Sequence, residues 1–194
     1  MQFPIQIVFK ILALAPQMYV NDGTGKHLGF VKQRLLAFKE KVTVFTDDTQ
    51  QTPIYSIAAD RVIDFNAEYK FSNAQGVVLG SVKRSGMRSL WRAHYIIKLG
   101  DVATFELHEE SGWVHLIDGA LGEIPFVGFL TGYILNPKYN ITRVQGGPAL
   151  RMIKQRSLFE STFTIDQQGQ LSAAEQEAAM LGLMMIVLLE RSRG

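Results

Sequence analysis

The amino-acid sequence predicts a mainly β fold, a sandwich or a barrel of ten to twelve short strands, with one apolar helix near its C-terminal end. Three observations support this prediction. Apolar and polar residues alternate with period two along most of the chain, turn signals separate the alternating runs, and one continuous apolar run follows them. With 194 residues, 47% of them apolar and 20% charged, we expect one globular domain over residues 1–194.

The first alternating run covers residues 3–9, and we interpret it as a half-buried strand. A secretory signal is not favoured, because no basic residue precedes the run and a lysine interrupts its apolar continuation. The same alternation over residues 92–99, 103–108 and 159–166 predicts further strands. Residues 118–135 contain four glycines and a proline, so there we expect a short helical turn that leads into a strand.

The most apolar run, residues 178–189, is 12 residues long, which is about 18 Å as a helix and short of the ~20 residues that span a bilayer. Ser172 followed by Glu175 is the pattern of a capping box. We therefore expect a helix from about Ala173 to Glu190. Because it is apolar on every side, we expect protein to surround it.

An internal repeat organises the chain. Residues 22–33 (DGTGKHLGFVKQ) match residues 73–84 (NAQGVVLGSVKR), with a turn, a glycine and then Leu-Gly-x-Val-Lys. A weaker third copy aligns residues 153–156 with residues 31–34, at an offset of 122. If these segments are strands, the alignment places the apolar residues of the repeat on one face and the basic residues on the other. The apolar residues are Val31, Val82 and Ile153, and the basic residues are Lys32, Lys83 and Lys154.

The sequence resembles the LURP-one-related family of the tubby C-terminal-like superfamily, which also includes the phospholipid scramblases. The matching elements are the Gly-x-x-Leu-Gly-x-Val-Lys hairpins, residues 60–65 (DRVIDF), residues 83–91 (KRSGMRSLW), residues 136–139 (NPKY) and the apolar helix that ends in Glu190. The resemblance implies a closed antiparallel barrel of about twelve strands with the C-terminal helix threaded through its centre.

The chain departs from the scramblases in ways that bear on function. Its six prolines are scattered, and the sequence contains no cysteine and no acidic loop of the calcium-binding type. Lipid scrambling is therefore not favoured. Tubby-type proteins bind phosphoinositide headgroups through basic side chains, so the resemblance leaves headgroup recognition as the expected activity.

The net charge of +2 is too small to indicate a nucleic-acid partner, but it conceals an uneven distribution. Basic blocks over residues 26–41, 83–98 and 138–156 alternate with acidic ones over 101–123 and 160–177. The basic blocks coincide with the repeats, so we expect a non-enzymatic module that binds anionic phospholipid headgroups on one basic surface. The candidate ligand-binding residues are Lys32, Arg34, Lys83, Arg84, Arg88, Lys154 and Arg156.

Two alternatives remain open. In the first, the charges have no ligand: opposite charges on neighbouring strands pair with each other across the barrel, or the basic and acidic blocks meet across an interface of a scaffold protein or homo-oligomer. The other alternative is an enzyme with an unrecognised site around His108, Glu109 and His115. His108 lies beside the carboxylates of Glu106, Glu109 and Glu110, which could form a metal site with the imidazoles, although these residues have no recognised ligand spacing. Residues 23–26 (GTGK) resemble the end of a phosphate loop, but the other residues of that motif are missing.

No catalytic motif stands out in the sequence, so we expect no enzyme activity, no cofactor, no catalytic residue and no metal ligand. The absence of cysteine excludes disulfides and palmitoyl anchors and is compatible with a reducing compartment. We expect a cytoplasmic protein that can lie peripherally on a membrane.

Overall fold

A computed structural model describes residues 1–10, 17–32, 41–60, 67–85, 94–110, 138–155 and 160–191. These residues form a closed barrel of twelve antiparallel strands and one helix, α1, over Ala173–Arg191. The strands are β1 (Ile5–Lys10), β2 (Gln17–Asn21), β3 (His27–Lys32), β4 (Lys41–Phe45), β5 (Pro53–Ala59), β6 (Glu68–Asn73), β7 (Val78–Arg84), β8 (His94–Leu99), β9 (Val102–Glu109), β10 (Lys138–Arg143), β11 (Pro148–Gln155) and β12 (Glu160–Gln167). The mainly β fold with a buried C-terminal helix is confirmed.

Each strand pairs with its neighbours in sequence, and β1 closes the barrel by pairing with β12. The barrel therefore has two distinct ends. Short turns at residues 22–26, 46–52, 74–77, 100–101 and 144–147 join the strands at one end, which we name the turn end. At the other end, named the distal end, the odd-numbered strands finish and the even-numbered strands begin. Closure leaves no unpaired strand edge in the described sheet.

The helix α1 runs inside the barrel. Residues 178–188, three turns of helix, are all buried, with exposures of 0–3%. Three consecutive turns present side chains in every direction, so burial of all of them requires protein on every side. The inner faces of the strands supply that protein, and with α1 they form one apolar cluster. The helix thus fills the space that a twelve-stranded wall encloses.

Strand β8 passes close to the helix at Gly182. A Cβ atom placed on Gly182 would lie 2.8 to 3.0 Å from three side-chain atoms of Ile97. The absence of a side chain at this position therefore lets the helix backbone approach the wall.

Polar contacts fix the first turn of α1 at the turn end. The N–H of Ser172 donates to Glu175 Oε2 at 2.8 Å, and the N–H of Glu175 donates to Ser172 Oγ at 3.3 Å, which is the predicted capping box. Arg143 of β10 donates to Glu175 at 3.0 Å, and the Tyr55 hydroxyl of β5 donates to Glu177 at 2.5 Å. Since β5 and β10 lie five strands apart in the ring of twelve, they hold the helix from nearly opposite sides.

The internal repeat corresponds to one turn structure that recurs three times. The N–H of residue i donates to the carbonyl of i+4, and the N–H of i+3 donates to the carbonyl of i, for i equal to Asp22, Asn73 and Arg143. The i+3 residue is glycine each time, with φ of 83°, 80° and 92°. A left-handed residue at that point favours glycine, which explains the repeated spacing in the sequence.

The third copy of the repeat lies one residue away from the alignment predicted from the sequence. The turns align at offsets of 51 and 121, so Met152 matches Val31 and Val82, and the predicted match with Ile153 is wrong. Met152 is buried at 1% and pairs with the buried Ile165, whereas Ile153 lies on the outer face. A shift of one residue along a strand exchanges its two faces, so Lys154 changes face as well.

Burial also bears out the strands predicted from alternation. Ile5 and Ile7 of β1, Tyr95 and Ile97 of β8, and Phe163 of β12 are all buried as expected for inner-face positions. The helical turn predicted within residues 118–135 lies outside the described residues.

Candidate functional site

Four of the seven predicted ligand-binding residues lie in described strands, all at the distal end. Lys32 ends β3, Lys83 and Arg84 end β7, and Lys154 is the penultimate residue of β11. The other three follow these strands in sequence and lie outside the described residues: Arg34, Arg88 and Arg156.

These strands do not form one continuous patch on the barrel wall. In the ring of twelve, three other strands separate β3 from β7, β7 from β11, and β11 from β3. The three repeats therefore lie a third of the circumference apart. The expectation that the basic hairpins are neighbours is wrong for the wall, because a repeat of four strands distributes its copies evenly around a twelve-stranded barrel. What the copies share is the end at which they finish.

The four described residues also divide between the two faces of the wall. Lys32 and Lys83 alternate with the buried Val31 and Val82, so they lie on the outer face. The other two lie on the inner face at the distal end. Arg84 pairs with the fully buried Tyr95, and Lys154 pairs with Phe163, with its ammonium 5.9 Å from the ring centroid.

Charge is distributed unequally between the two ends of the barrel. At the distal end, the described basic residues outnumber the acidic ones. The basic residues there are Lys10, Lys32, Lys41, Lys83, Arg84, Lys138 and Lys154, against Asp60, Glu68, Glu109, Glu110 and Glu160. At the turn end the order is reversed, with Asp22, Asp47, Asp48, Asp101, Asp166, Glu175 and Glu177 against Lys26 and Arg143. Lys98 and Glu68 bond to each other, so this pair does not change the balance at either end.

Part of the basic charge is paired across the wall. Lys98 of β8 reaches over β7 to donate to Glu68 of β6 at 2.9 Å, and the buried Ser81 hydroxyl between them donates to the same carboxylate. The Ser81 hydroxyl and then the Lys98 ammonium hold the pKa of Glu68 below its usual range. Arg151 contacts Glu110 at 3.3 Å. The alternative interpretation of the charge pattern, pairing between strands, is thus correct for these residues.

The turn that resembles a phosphate loop has no free backbone donors for an anion. Asp22 is 7% exposed, and its Oδ1 accepts hydrogen bonds from the N–H groups of Thr24 and Lys26 and from the Thr24 hydroxyl. These bonds, with the Thr24 hydroxyl contributing most, lower the pKa of Asp22 to about 2. The N–H groups of Gly23 and Gly25 donate to backbone carbonyls, so every backbone donor of residues 23–26 is used within the protein and the turn is structural.

A cluster of three side chains on the outer face of β8 and β9 combines two imidazoles with one carboxylate. His94 and His108 face each other across the two strands, with their rings stacked at 4.3 Å and 21°. Glu106 Oε2 lies 3.1 Å from His108 Nε2 and 3.8 Å from His94 Nε2. One ligand atom from each residue falls within 4.8 Å of the others, so the three side chains could hold a metal ion.

The position of His94 in this cluster is unusual. Its Nε2 atom is shielded from solvent and has no hydrogen-bond partner in the described part of the chain. Burial, together with repulsion from His108, lowers the pKa of His94 below its usual value although Glu106 acts in the opposite direction. Both effects favour the neutral form of the imidazole, which is the form that binds metals.

Sequence reasoning found only part of this cluster. The spacing of Glu106 and His108 places both on one face of a strand, but only the register of β8 against β9 brings His94 to them. The grouping of His108 with Glu109 is wrong, because adjacent residues of a strand face opposite sides and Glu109 pairs with Tyr139 on the inner face. His115 lies outside the described residues.

Among the described residues, no helix combines the length and the apolar character needed to cross a membrane. No family model, curated protein or solved structure matches this chain. The resemblance to the LURP-one-related family therefore stays a prediction.

Proposed function

We propose that the chain is a non-enzymatic binding module that recognises anionic phospholipid headgroups with the distal end of its barrel. The observation that carries the proposal is the polarity of the described barrel, whose basic strand ends gather opposite an acidic turn end. Each lysine or arginine near an anionic membrane contributes about 1 kcal/mol. A barrel that stands on its distal end brings several such charges to the surface at once and turns its acidic end away.

The distribution of side chains at the distal end supports the same orientation. Lys32 and Lys83 lie on the outer rim, while Arg84 and Lys154 lie on the inner face. Because β3, β7 and β11 are evenly spaced around the barrel, their basic residues can be contacted together only by a surface that covers the whole distal end. A flat anionic membrane is such a surface. Phosphate groups are suitable partners, because ammonium and guanidinium groups form charge-assisted hydrogen bonds with them.

Vesicle flotation tests the proposal. Vesicles of phosphatidylcholine alone are compared with vesicles that contain phosphatidylserine or phosphoinositides, at low and at moderate salt. We expect binding only to the anionic vesicles, with a loss as salt rises. The double variant Lys32→Glu/Lys83→Glu loses at least about 2 kcal/mol, or roughly thirtyfold in apparent affinity.

The matched control is Lys26→Glu/Lys70→Glu, which makes the same change in net charge with two exposed lysines away from the distal end. We expect it to bind as the wild type does. Absence of binding at low salt would contradict the proposal, and so would equal losses in the two double variants.

Copies of the chain joined end to end are a second candidate, and the same charge polarity favours it. The acidic turn end of one copy can meet the basic distal end of the next, in a head-to-tail contact. Light scattering distinguishes the two functions. A monomer at all concentrations rejects the assembly, and a salt-sensitive increase in mass without vesicles supports it.

A further inference from the structure

The outer wall of β8 and β9 carries a second feature, which the lipid proposal does not use. His94, Glu106 and His108 lie on neighbouring strands that are paired on both sides, β8 with β7 and β9 with β10. The ladder therefore fixes the positions of the three Cα atoms relative to one another. Side chains on rigid paired strands are well suited to hold ligand atoms in place.

The distances in the cluster are close to those of a metal site. Around a tetrahedral zinc ion with bonds of about 2.0–2.1 Å, ligand atoms lie roughly 3.3 Å apart. The carboxylate oxygen of Glu106 lies 3.1 Å from one imidazole nitrogen and 3.8 Å from the other. The three ligand atoms lie within 4.8 Å of one another, so the widest spacing among them has to contract by side-chain rotation before all three bind one ion.

The donor set indicates which ions fit. Two imidazoles and one carboxylate suit zinc and the neighbouring divalent transition metals. Calcium and magnesium require oxygen ligands throughout and are not favoured. The Nε2 atom of His94 has no hydrogen-bond partner among the described residues, so its lone pair is available to coordinate an ion that binds between it and Glu106.

We propose that His94, Glu106 and His108 form a binding site for a divalent transition-metal ion of the zinc class. Three protein ligands leave one coordination position for water or another ligand. Solvent reaches the cluster from the side of Glu106 and His108, whose side chains are 33% and 49% exposed, while the Nε2 atom of His94 is shielded. The ion joins β8 to β9 on the outer face and stabilises that hairpin.

Zinc binding to the chelator-treated full chain tests the proposal by isothermal titration with zinc chloride. We expect one ion per chain, a higher Tm with zinc present, and visible absorption typical of tetrahedral coordination when cobalt replaces zinc. Loss of a residue that only hydrogen-bonds to a metal ligand lowers metal affinity about 10–100-fold. Loss of a ligand itself, in His94→Gln or Glu106→Gln, should therefore lower zinc affinity by at least that much.

The matched control is His27→Gln, since His27 lies at the turn end and bonds to Asn21 instead of to the cluster. We expect it to bind zinc as the wild type does. Circular dichroism shows which variants fold. If His94→Gln does not fold, Glu106→Gln, which keeps the shape of the side chain, tests the site in its place. The proposal is overturned if the wild type retains no zinc, if His94→Gln and Glu106→Gln bind normally, or if His27→Gln loses as much as they do.

Discussion

The fit of the central helix against β8 can be tested by adding one methyl group, with Gly182→Ala. The new Cβ would lie 2.8 to 3.0 Å from Cδ1, Cγ1 and Cγ2 of Ile97, which is closer than such atoms normally approach. Overpacking of this kind costs about 1–3 kcal/mol. Alanine in place of glycine inside a helix returns about 1 kcal/mol. We therefore expect a net loss of up to about 2 kcal/mol in the free energy of unfolding.

The sign of the effect should reverse once Ile97 is shortened. Ile97→Ala alone leaves a cavity beside the helix and costs about 2–5 kcal/mol. It also removes all three atoms that the new methyl group would meet. In this background we expect Gly182→Ala to stabilise the protein by about 1 kcal/mol, since the gain in helix propensity remains and the clash is gone.

A double-mutant cycle in urea, followed by circular dichroism, measures the coupling between the two positions. We expect a coupling energy of about 1–3 kcal/mol between positions 182 and 97. The control pairs Gly182→Ala with Ile57→Ala, which is buried on β5 and separated from β8 by two strands. That pair should be additive within about 0.5 kcal/mol. Additivity for the Gly182 and Ile97 pair would refute the proposed position of the helix in the barrel.

Two further predictions concern the turn end and the core. Asp22→Ala removes the carboxylate that accepts the hydrogen bonds of the turn at residues 22–26. Because the folded pKa of about 2 lies below the ordinary 3.8, the loss of stability should be full above about pH 4 and should disappear as the pH falls toward 2. Urea unfolding at a series of pH values measures this loss, and a loss that is constant with pH would contradict the prediction. Leu183→Asp puts an unpaired carboxylate into the fully buried core and costs at least about 3–5 kcal/mol, whereas Ala174→Asp in the exposed first turn of the helix should fold. Thermal melts compare the two variants, and a cooperative melt of Leu183→Asp close to that of the wild type would reject the buried helix.

Much of the fold could be predicted from local patterns. Alternation of apolar and polar residues predicted the strands, because a barrel with an apolar interior and a solvent-exposed outer face imposes period two on each strand. The capping box at Ser172 and Glu175 marked the start of the helix for a similar reason, since both partners lie within one turn.

Register could not be predicted in the same way. The third repeat was aligned from four residues, 153–156, and that alignment is one residue off. The turn at Arg143 and the irregular pairing beside Thr142 take the same places as in the other two copies, and they set which face each residue of β11 occupies. Lys154 therefore lies on the inner face. Similarly, His94 meets Glu106 and His108 only because β8 pairs with β9 in a particular register. The spacing of residues within either strand does not indicate this contact.

Site-specific labelling tests the central claim, that the distal end meets the membrane, most directly. The chain has no cysteine, so any single introduced cysteine carries an environment-sensitive fluorophore at one known place. Gln155→Cys labels the distal end and Gln75→Cys labels the turn end, both at exposed positions. We expect anionic vesicles to shift the emission of the label at position 155 to the blue and to leave that at position 75 unchanged. A shift at position 75 alone, equal shifts at both positions or no shift at either would contradict the account.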